Sequence, residues 1–344
     1  MKTITAYAAK DLRIDEHDVP TPGSGEALIR MERGGICGSD LHYYNHGGFG
    51  TVRLREPMIL GHEVAGRVEA LGDGTSGLEI GQRVAVSPSR PCGTCVFCQT
   101  AQQNHCMNMR FYGSAMPFPH IQGAFRECLV ADASQCALAD GISSGEAAMA
   151  EPLSVVLHGA AQAGSLAGKH VLVTGCGPIG LLAVLVARAY GAIDIVATDV
   201  TEFTLQKARE VGADTTINIM SNPSGLQPYQ EMKGRFDVLF ECSGVASALA
   251  GAIPAMRPGG IIVQLGLGGD MTLPMQTMTA KELMLRGSFR FHHEFKNAVL
   301  LMQRKRIDVT SLITQTFPFS KATQAFEVAS DRNCSVKVQL SFES

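Results

Sequence analysis

The stretch that most narrows the fold is an apolar run ending in three spaced glycines, Val171-Leu172-Val173-Thr174-Gly175-Cys176-Gly177-Pro178-Ile179-Gly180. A buried strand leads into it, and segment 179–190, apolar nearly all round, leaves it as a helix packed on a sheet. Between strand and helix, G-x-G-x-x-G is the turn that cradles a dinucleotide pyrophosphate. Gly175 permits the tight turn, Gly177 lets the backbone approach the phosphates, and Gly180 lets helix and strand pack closely. Pro178 and Ile179 open the helix, whose amide-rich N-terminus faces the anion. Alone the motif is weak, because glycine turns are common in α/β chains for structural reasons. Asp199, at the end of the next strand, strengthens it, since an acid there binds both ribose hydroxyls and repels a 2′-phosphate. Asp199 also reads as a cap for a helix over 201–210. No Lys or Arg lies between Asp199 and Lys207, so NAD is expected, with NADP left open.

The turn is set in a regular context. Buried strands are expected over 170–174, 193–198, 215–219, 236–241, 260–265 and 283–288, with helical intervals between most of them. That alternation specifies a parallel, doubly wound sheet. Residues 1–150 differ: short alternating segments such as Ala27-Leu28-Ile29-Arg30-Met31 and Val64-Ala65-Gly66-Arg67-Val68 are divided by Gly, Pro and Asp turns. The last alternating run, Ser335-Val336-Lys337-Val338-Gln339-Leu340, is expected to return and pair with this first half.

At 344 residues the chain is long enough for two cores. No apolar run reaches the ~18 residues that span a bilayer, and the first residues lack the apolar core of a signal peptide. A net charge of −3 without a basic cluster argues against nucleic acid. A cytoplasmic protein without a membrane partner is expected.

Ten cysteines with no export signal do not suggest a disulfide framework. Four of them, Cys92, Cys95, Cys98 and Cys106, fall in the pattern C-x2-C-x2-C-x7-C. Four thiolates at short spacing form a closed tetrahedral site suited to structural zinc. An iron–sulfur cluster is the competing reading, and four small buried residues in a loop the inert one.

A second group is scattered. Cys37-Gly38-Ser39-Asp40-Leu41-His42-Tyr43 offers a thiol, a hydroxyl and an imidazole; Gly61-His62-Glu63 adds imidazole and carboxylate; Glu151-Pro152 adds another carboxylate. One thiolate, one imidazole and one carboxylate leave a fourth position open, as a catalytic zinc requires. Each residue has an innocent alternative: a small core cysteine, a satisfied buried histidine, a charge opening a helix at Pro152. Their joint appearance beside a dinucleotide turn and a zinc lobe favours the metal.

The order and spacing of these motifs resemble the zinc-containing medium-chain dehydrogenase/reductase superfamily over essentially the whole chain. Cys37 to Tyr43, Glu151-Pro152-Leu153 and Gly287-Ser288-Phe289-Arg290 look like its polyol dehydrogenase branch. The resemblance implies a Rossmann doubly wound, six-stranded parallel sheet over 151–290. It also implies a mainly β, GroES-like catalytic domain with a zinc lobe over 1–150, completed by 291–344. It implies two zinc ions per chain, the catalytic one on Cys37, His62 and Glu151, with Glu63 behind them or as an alternative ligand. Leu265, Gly266, Leu267, Ser288, Phe289 and Arg290 would line the nicotinamide end. Ser39 and His42 would relay the proton, and Tyr43 with Arg290 or Arg110 would contact substrate oxygens. Thr204 stands where the family commonly has a basic residue. The implied activity is NAD-linked oxidation of a secondary alcohol on a sugar acid or polyol by a homodimer or homotetramer. The alternatives are a sorbitol- or xylitol-type enzyme, a threonine dehydrogenase, and a catalytically silent zinc scaffold or sensor.

Overall fold

The computed structural model describes residues 1–343. In the first half β1 (Glu26–Gly35), β2 (Glu63–Leu71), β3 (Arg83–Val86), β4 (Cys128–Asp132) and β5 (Cys136–Leu138) pair antiparallel. Helix α1 (Gly38–His46) leaves β1 directly. Its N-cap is Cys37, and Asp40 reaches back to accept the Cys37 amide at 3.0 Å. The capping geometry therefore fixes where a sulfur donor stands relative to the end of β1.

Helix α2 (Ala150–Ala163) then leads into the second sheet, with Glu151 in its first turn and Pro152 behind it. Six parallel strands follow: β6 (His170–Thr174), β7 (Asp194–Asp199), β8 (Thr215–Asn218), β9 (Phe236–Glu241), β10 (Met256–Gln264) and β11 (Met284–Gly287). Their order is β8-β7-β6-β9-β10-β11. The chain winds outward one way from β6 and the other way from β9, so a crevice opens between the carboxyl ends of these two strands, where dinucleotides bind in such sheets. All six strands stand where the sequence pattern puts them. The main shift is at β10, which begins at Met256, before the expected 260–265, and takes Pro258 and Gly259 in at its start.

Helices α3 (Pro178–Ala189) and α4 (Glu202–Glu210) follow β6 and β7, and α5 (Glu294–Gln303) packs on α2. Strands β12 (Ile313–Pro318) and β13 (Lys337–Ser341) then rejoin the first sheet: β13 pairs with β1 through Gln339↔Gly35 and Leu340↔Gly34. Gly35 faces Glu63 across the other edge of β1. A Cβ on Gly35 would lie 2.2 Å from a Glu63 carboxylate oxygen, so only glycine lets that side chain pass. Among the described residues no helix is long and apolar enough to cross a membrane.

Candidate active site

The four cysteines of the lobe converge. Cys95 Sγ lies 3.5 Å from Cys98 Sγ and 3.9 Å from Cys106 Sγ, and Cys92 Sγ lies 4.0 Å from Cys98 Sγ. Tetrahedral Zn–S bonds of ~2.3 Å space sulfurs about 3.8 Å apart. The lobe is thus built around one ion, too tightly for an iron–sulfur cluster. Backbone N–H groups also aim at the sulfurs, Cys92 N at 3.2 Å and Asn108 N at 3.4 Å from Cys106 Sγ. The Thr94 amide and hydroxyl bring the Cys92 thiol down to about 5, whereas burial pushes Cys98 up to about 12. The lobe also grips the end of the second sheet: Asn104 Nδ2 donates to the Phe289 carbonyl at 3.1 Å, and the His105 ring stacks on Phe289.

The second donor set comes from two separated parts of the chain, the cap of α1 and the start of β2. Cys37, His62 and Glu63 bring one donor atom each to within 4.8 Å of one another. His62 is buried and its Nδ1 has no hydrogen-bond partner, with Asp40 Oδ1 3.8 Å away. Asp40 is fully buried and accepts from the Gly61 amide at 3.0 Å, which ties β2 to α1. Lys337, also buried, donates to both oxygens of Glu63 at 2.7 and 2.6 Å and to the Ile36 carbonyl at 3.2 Å. Glu151 is buried close by, and burial raises its carboxyl to about 7. Burial alone would lower the His62 imidazole, but Asp40 and Cys37 outweigh it and hold the ring well above its ordinary range. Three acids and a thiol face one lysine and one imidazole in an interior that tolerates no net charge cheaply. A divalent cation fits that balance and that donor set.

At the crevice between β6 and β9, each glycine has a distinct steric reason. A Cβ on Gly175, at φ +84°, would meet Ser243 at 2.8 Å, and one on Gly180 would lie 1.8 Å from the Gly175 carbonyl. A Cβ on Gly177 would meet nothing within 4 Å, so its side is left bare for something other than protein. Asp199 accepts from the Cys176 amide at 2.5 Å and from the Val200 and Thr201 amides at 2.7 and 3.0 Å, so it braces the glycine turn and the residues leading into α4, whose N-cap is Thr201. Leu265 packs near Gly159, Leu267 is exposed, and the Ser288 hydroxyl is buried without a partner. A bare glycine face after β6 and an orphaned hydroxyl after β11, both past the carboxyl ends of strands in one parallel sheet, fit an elongated polar cofactor.

Comparison with known proteins decides the family. Residues 23–141 match the alcohol dehydrogenase GroES-like domain, and residues 178–304 match the zinc-binding dehydrogenase family. L-idonate 5-dehydrogenase (NAD(P)(+)) of Escherichia coli K12 is 41% identical over 97% of this chain and 96% of its own length. The chain belongs to the zinc-binding alcohol dehydrogenases. Sorbitol dehydrogenase of Gallus gallus is 38% identical over 98% of the chain and 95% of its own length. The crystal structure of the E. coli L-idonate enzyme superposes with a TM-score of 0.95 at 40% identity, covering 99% of this chain and 98% of that one. The protein is therefore a zinc-dependent oxidoreductase linked to a nicotinamide dinucleotide.

Within this dehydrogenase, Arg290 lies beside the second donor set. Its guanidinium sits 4.8 Å from the ring centroids of both Phe111 and Phe289, and the Phe111 ring packs against His62 at 5.6 Å. Arg290 adopts φ 56° and, among the described residues, makes no ion pair and one side-chain hydrogen bond, to Met116 Sδ at 3.6 Å. Arg110 is exposed and forms no salt bridge among the described residues. Ser39 is half-buried on α1, and His42 is exposed on the same helix. Tyr43 is buried, and its hydroxyl accepts from the Ala115 amide at 3.0 Å, which engages it with backbone. Two residues of the site escaped the sequence reading. Asp40 stood inside a noted motif, and its three-residue spacing from Cys37 was the available signal. Lys337 gave none, because an alternating strand reads its polar positions as solvent-facing.

Proposed function

We propose that this enzyme oxidises the secondary alcohol of a sugar acid, with L-idonate going to 5-ketogluconate, by hydride transfer to NAD. The observation that carries the acid is Arg290: a half-buried guanidinium, stacked between two rings and without a carboxylate partner, beside the metal donor set. Such a planar, poorly hydrated cation suits bidentate capture of a substrate carboxylate. The similarity to an L-idonate 5-dehydrogenase supports the same choice.

Bound zinc would act as a Lewis acid that makes the substrate hydroxyl more acidic. Cys37 and His62 would hold it. The compact geometry favours Glu63 over Glu151 as the third ligand, the reverse of the order implied by family resemblance. Asp40 would act on His62 through its charge, 3.8 Å from Nδ1, and Lys337 would orient Glu63 and offset its charge. Ser39 would take the alcohol proton first, and His42, at the water-facing side of α1, would pass it outward. Asp199 would hold the adenosine ribose, with Gly175, Gly177, Pro178, Ile179 and Gly180 around the pyrophosphate. Leu265, Gly266, Leu267, Ser288 and Phe289 would flank the nicotinamide.

Residues 1–150 with 291–344 would form the catalytic unit and 151–290 the cofactor unit, a division supported by the return of β13 to β1. The free edge of β11, with Met284 and Leu285 exposed, supports self-association through this sheet into a dimer or tetramer. Ten free cysteines support a reducing, cytoplasmic setting.

The test is a nicotinamide-absorbance assay with L-idonate, 5-ketogluconate, sorbitol and xylitol, on wild type and Arg290→Ala. The expected result is a preference for the acid that collapses in the variant through a raised KM. Activity confined to sorbitol and xylitol, or an unchanged idonate KM in the variant, would overturn the sugar-acid reading.

A further inference from the structure

One ionisable group at the crevice has no place in the chemistry above. Glu241, the last residue of β9, is fully buried. It is in register with Thr174 at the end of β6 on one side and Gln264 at the end of β10 on the other. Its carboxylate accepts from the Thr174 hydroxyl at 3.4 Å, the Ser243 amide at 2.9 Å, the Ser243 hydroxyl, the Gly244 amide at 3.1 Å and Gln264 Nε2 at 2.6 Å. Every one of these donors is neutral, and Glu241 is in no ion pair among the described residues.

This carboxylate is the point on which three turns close. Gln264 Nε2 also donates to the Gly266 carbonyl at 2.8 Å, and the Glu241 carbonyl accepts from the Leu265 and Gly266 amides at 2.9 Å. The turns interlock at glycines: a Cβ on Gly266 would lie 2.2 Å from the Gly244 amide and 2.7 Å from the Glu241 carboxylate. A Cβ on Gly268 would lie 1.6 Å from the Gly244 carbonyl, and one on Gly175 would strike Ser243. The pyrophosphate turn, the turn after β9 and the turn after β10 therefore share one anionic anchor. Beside it the Gln264 Oε1 atom is buried without a donor.

A buried carboxylate held by neutral donors projects its field into the crevice, because no ion-pair partner among the described residues offsets it. The two redox states of a nicotinamide differ by one positive charge on the ring. We propose that Glu241 is a positioning residue for the dinucleotide, holding the three turns in register and, through its charge, favouring the oxidised form over the reduced one. This rests on the reading that Leu265, Gly266 and Leu267 face the nicotinamide.

The test measures dissociation constants of NAD+ and NADH for the zinc-loaded protein without any sugar acid, in wild type, Glu241→Gln and Glu241→Asp. Glu241→Gln is expected to weaken NAD+ about tenfold more than NADH, the order of effect of one nearby buried charge. Glu241→Asp, which keeps the charge and shortens its reach, is expected to weaken both forms while preserving their ratio. A merely structural role would lower both affinities equally in Glu241→Gln, and that result overturns the proposal. Should Glu241→Gln fail to fold, Ser243→Ala removes one neutralising donor and must shift the ratio toward NAD+; a ratio that falls or stays overturns the proposal. Failure of wild type to bind either dinucleotide would overturn both this inference and the cofactor assignment. Binding without idonate turnover would touch only the substrate assignment.

Discussion

The two metal-binding regions of this enzyme are built in opposite ways. The lobe takes four sulfurs from one short loop, within four ångströms of their neighbours, and turns backbone amides onto them. The proposed catalytic set takes Cys37 from a helix cap, His62 and Glu63 from the start of β2, and Lys337 from a strand 274 positions beyond Glu63. One is a local motif that closes on its ion. The other is a product of the whole fold, with acids in excess. Local construction suits a structural brace, and assembled construction lets several elements tune one metal.

Replacing a ligand in each region separates the roles. His62→Ala is expected to lower NADH formation on the order of a thousandfold or more, the loss of several kcal/mol of charge stabilisation. The lobe should keep its zinc, and loss of both ions together would make the two regions one cooperative unit. Lys337→Met is expected to cost about 3 kcal/mol in denaturant unfolding without added zinc, because it strands the buried Glu63 carboxylate. Added zinc should narrow that gap by supplying the missing positive charge. An equal deficit with and without zinc would detach Lys337 from the metal set.

The same contrast explains what could be read from the sequence. Six parallel strands, the glycine turn and the lobe each depend on neighbours in the chain, so periodicity and spacing reveal them. Asp40 and Lys337 act on partners that only the fold brings near. In Val336-Lys337-Val338-Gln339-Leu340 strict alternation assigns Lys337 and Gln339 to solvent, yet this strand is covered on both faces and both side chains are buried. Glu241 was read as the end of a strand for the same reason: its partners are three turns that meet only when the sheet forms.

Two smaller effects extend the comparison away from the metals. Glu294 opens α5 and faces His158 on α2; burial pushes its carboxyl up, but His158, at 2.9 Å, and the His292 amide bring it down to about 2. A depressed folded-state pKa means stability present above the ordinary ~4.3 and lost as pH falls toward 2. Glu294→Gln should therefore be less stable than wild type by on the order of 2 kcal/mol at neutral pH, with the gap closing below pH ~4. A gap independent of pH would assign the loss to packing. Gly177→Ala should leave unfolding within about 0.5 kcal/mol of wild type, since its Cβ meets only open space, while weakening dinucleotide binding roughly tenfold. Unchanged affinity would remove Gly177 from the phosphate site.

Metal content tests most directly whether one chain carries a closed lobe and a separate, assembled catalytic centre. Zinc per chain should be measured in wild type and in Cys37→Ser purified alike. The expected result is two ions in wild type and one in the variant, held by Cys92, Cys95, Cys98 and Cys106. A single ion in wild type, or two retained in Cys37→Ser, would contradict it.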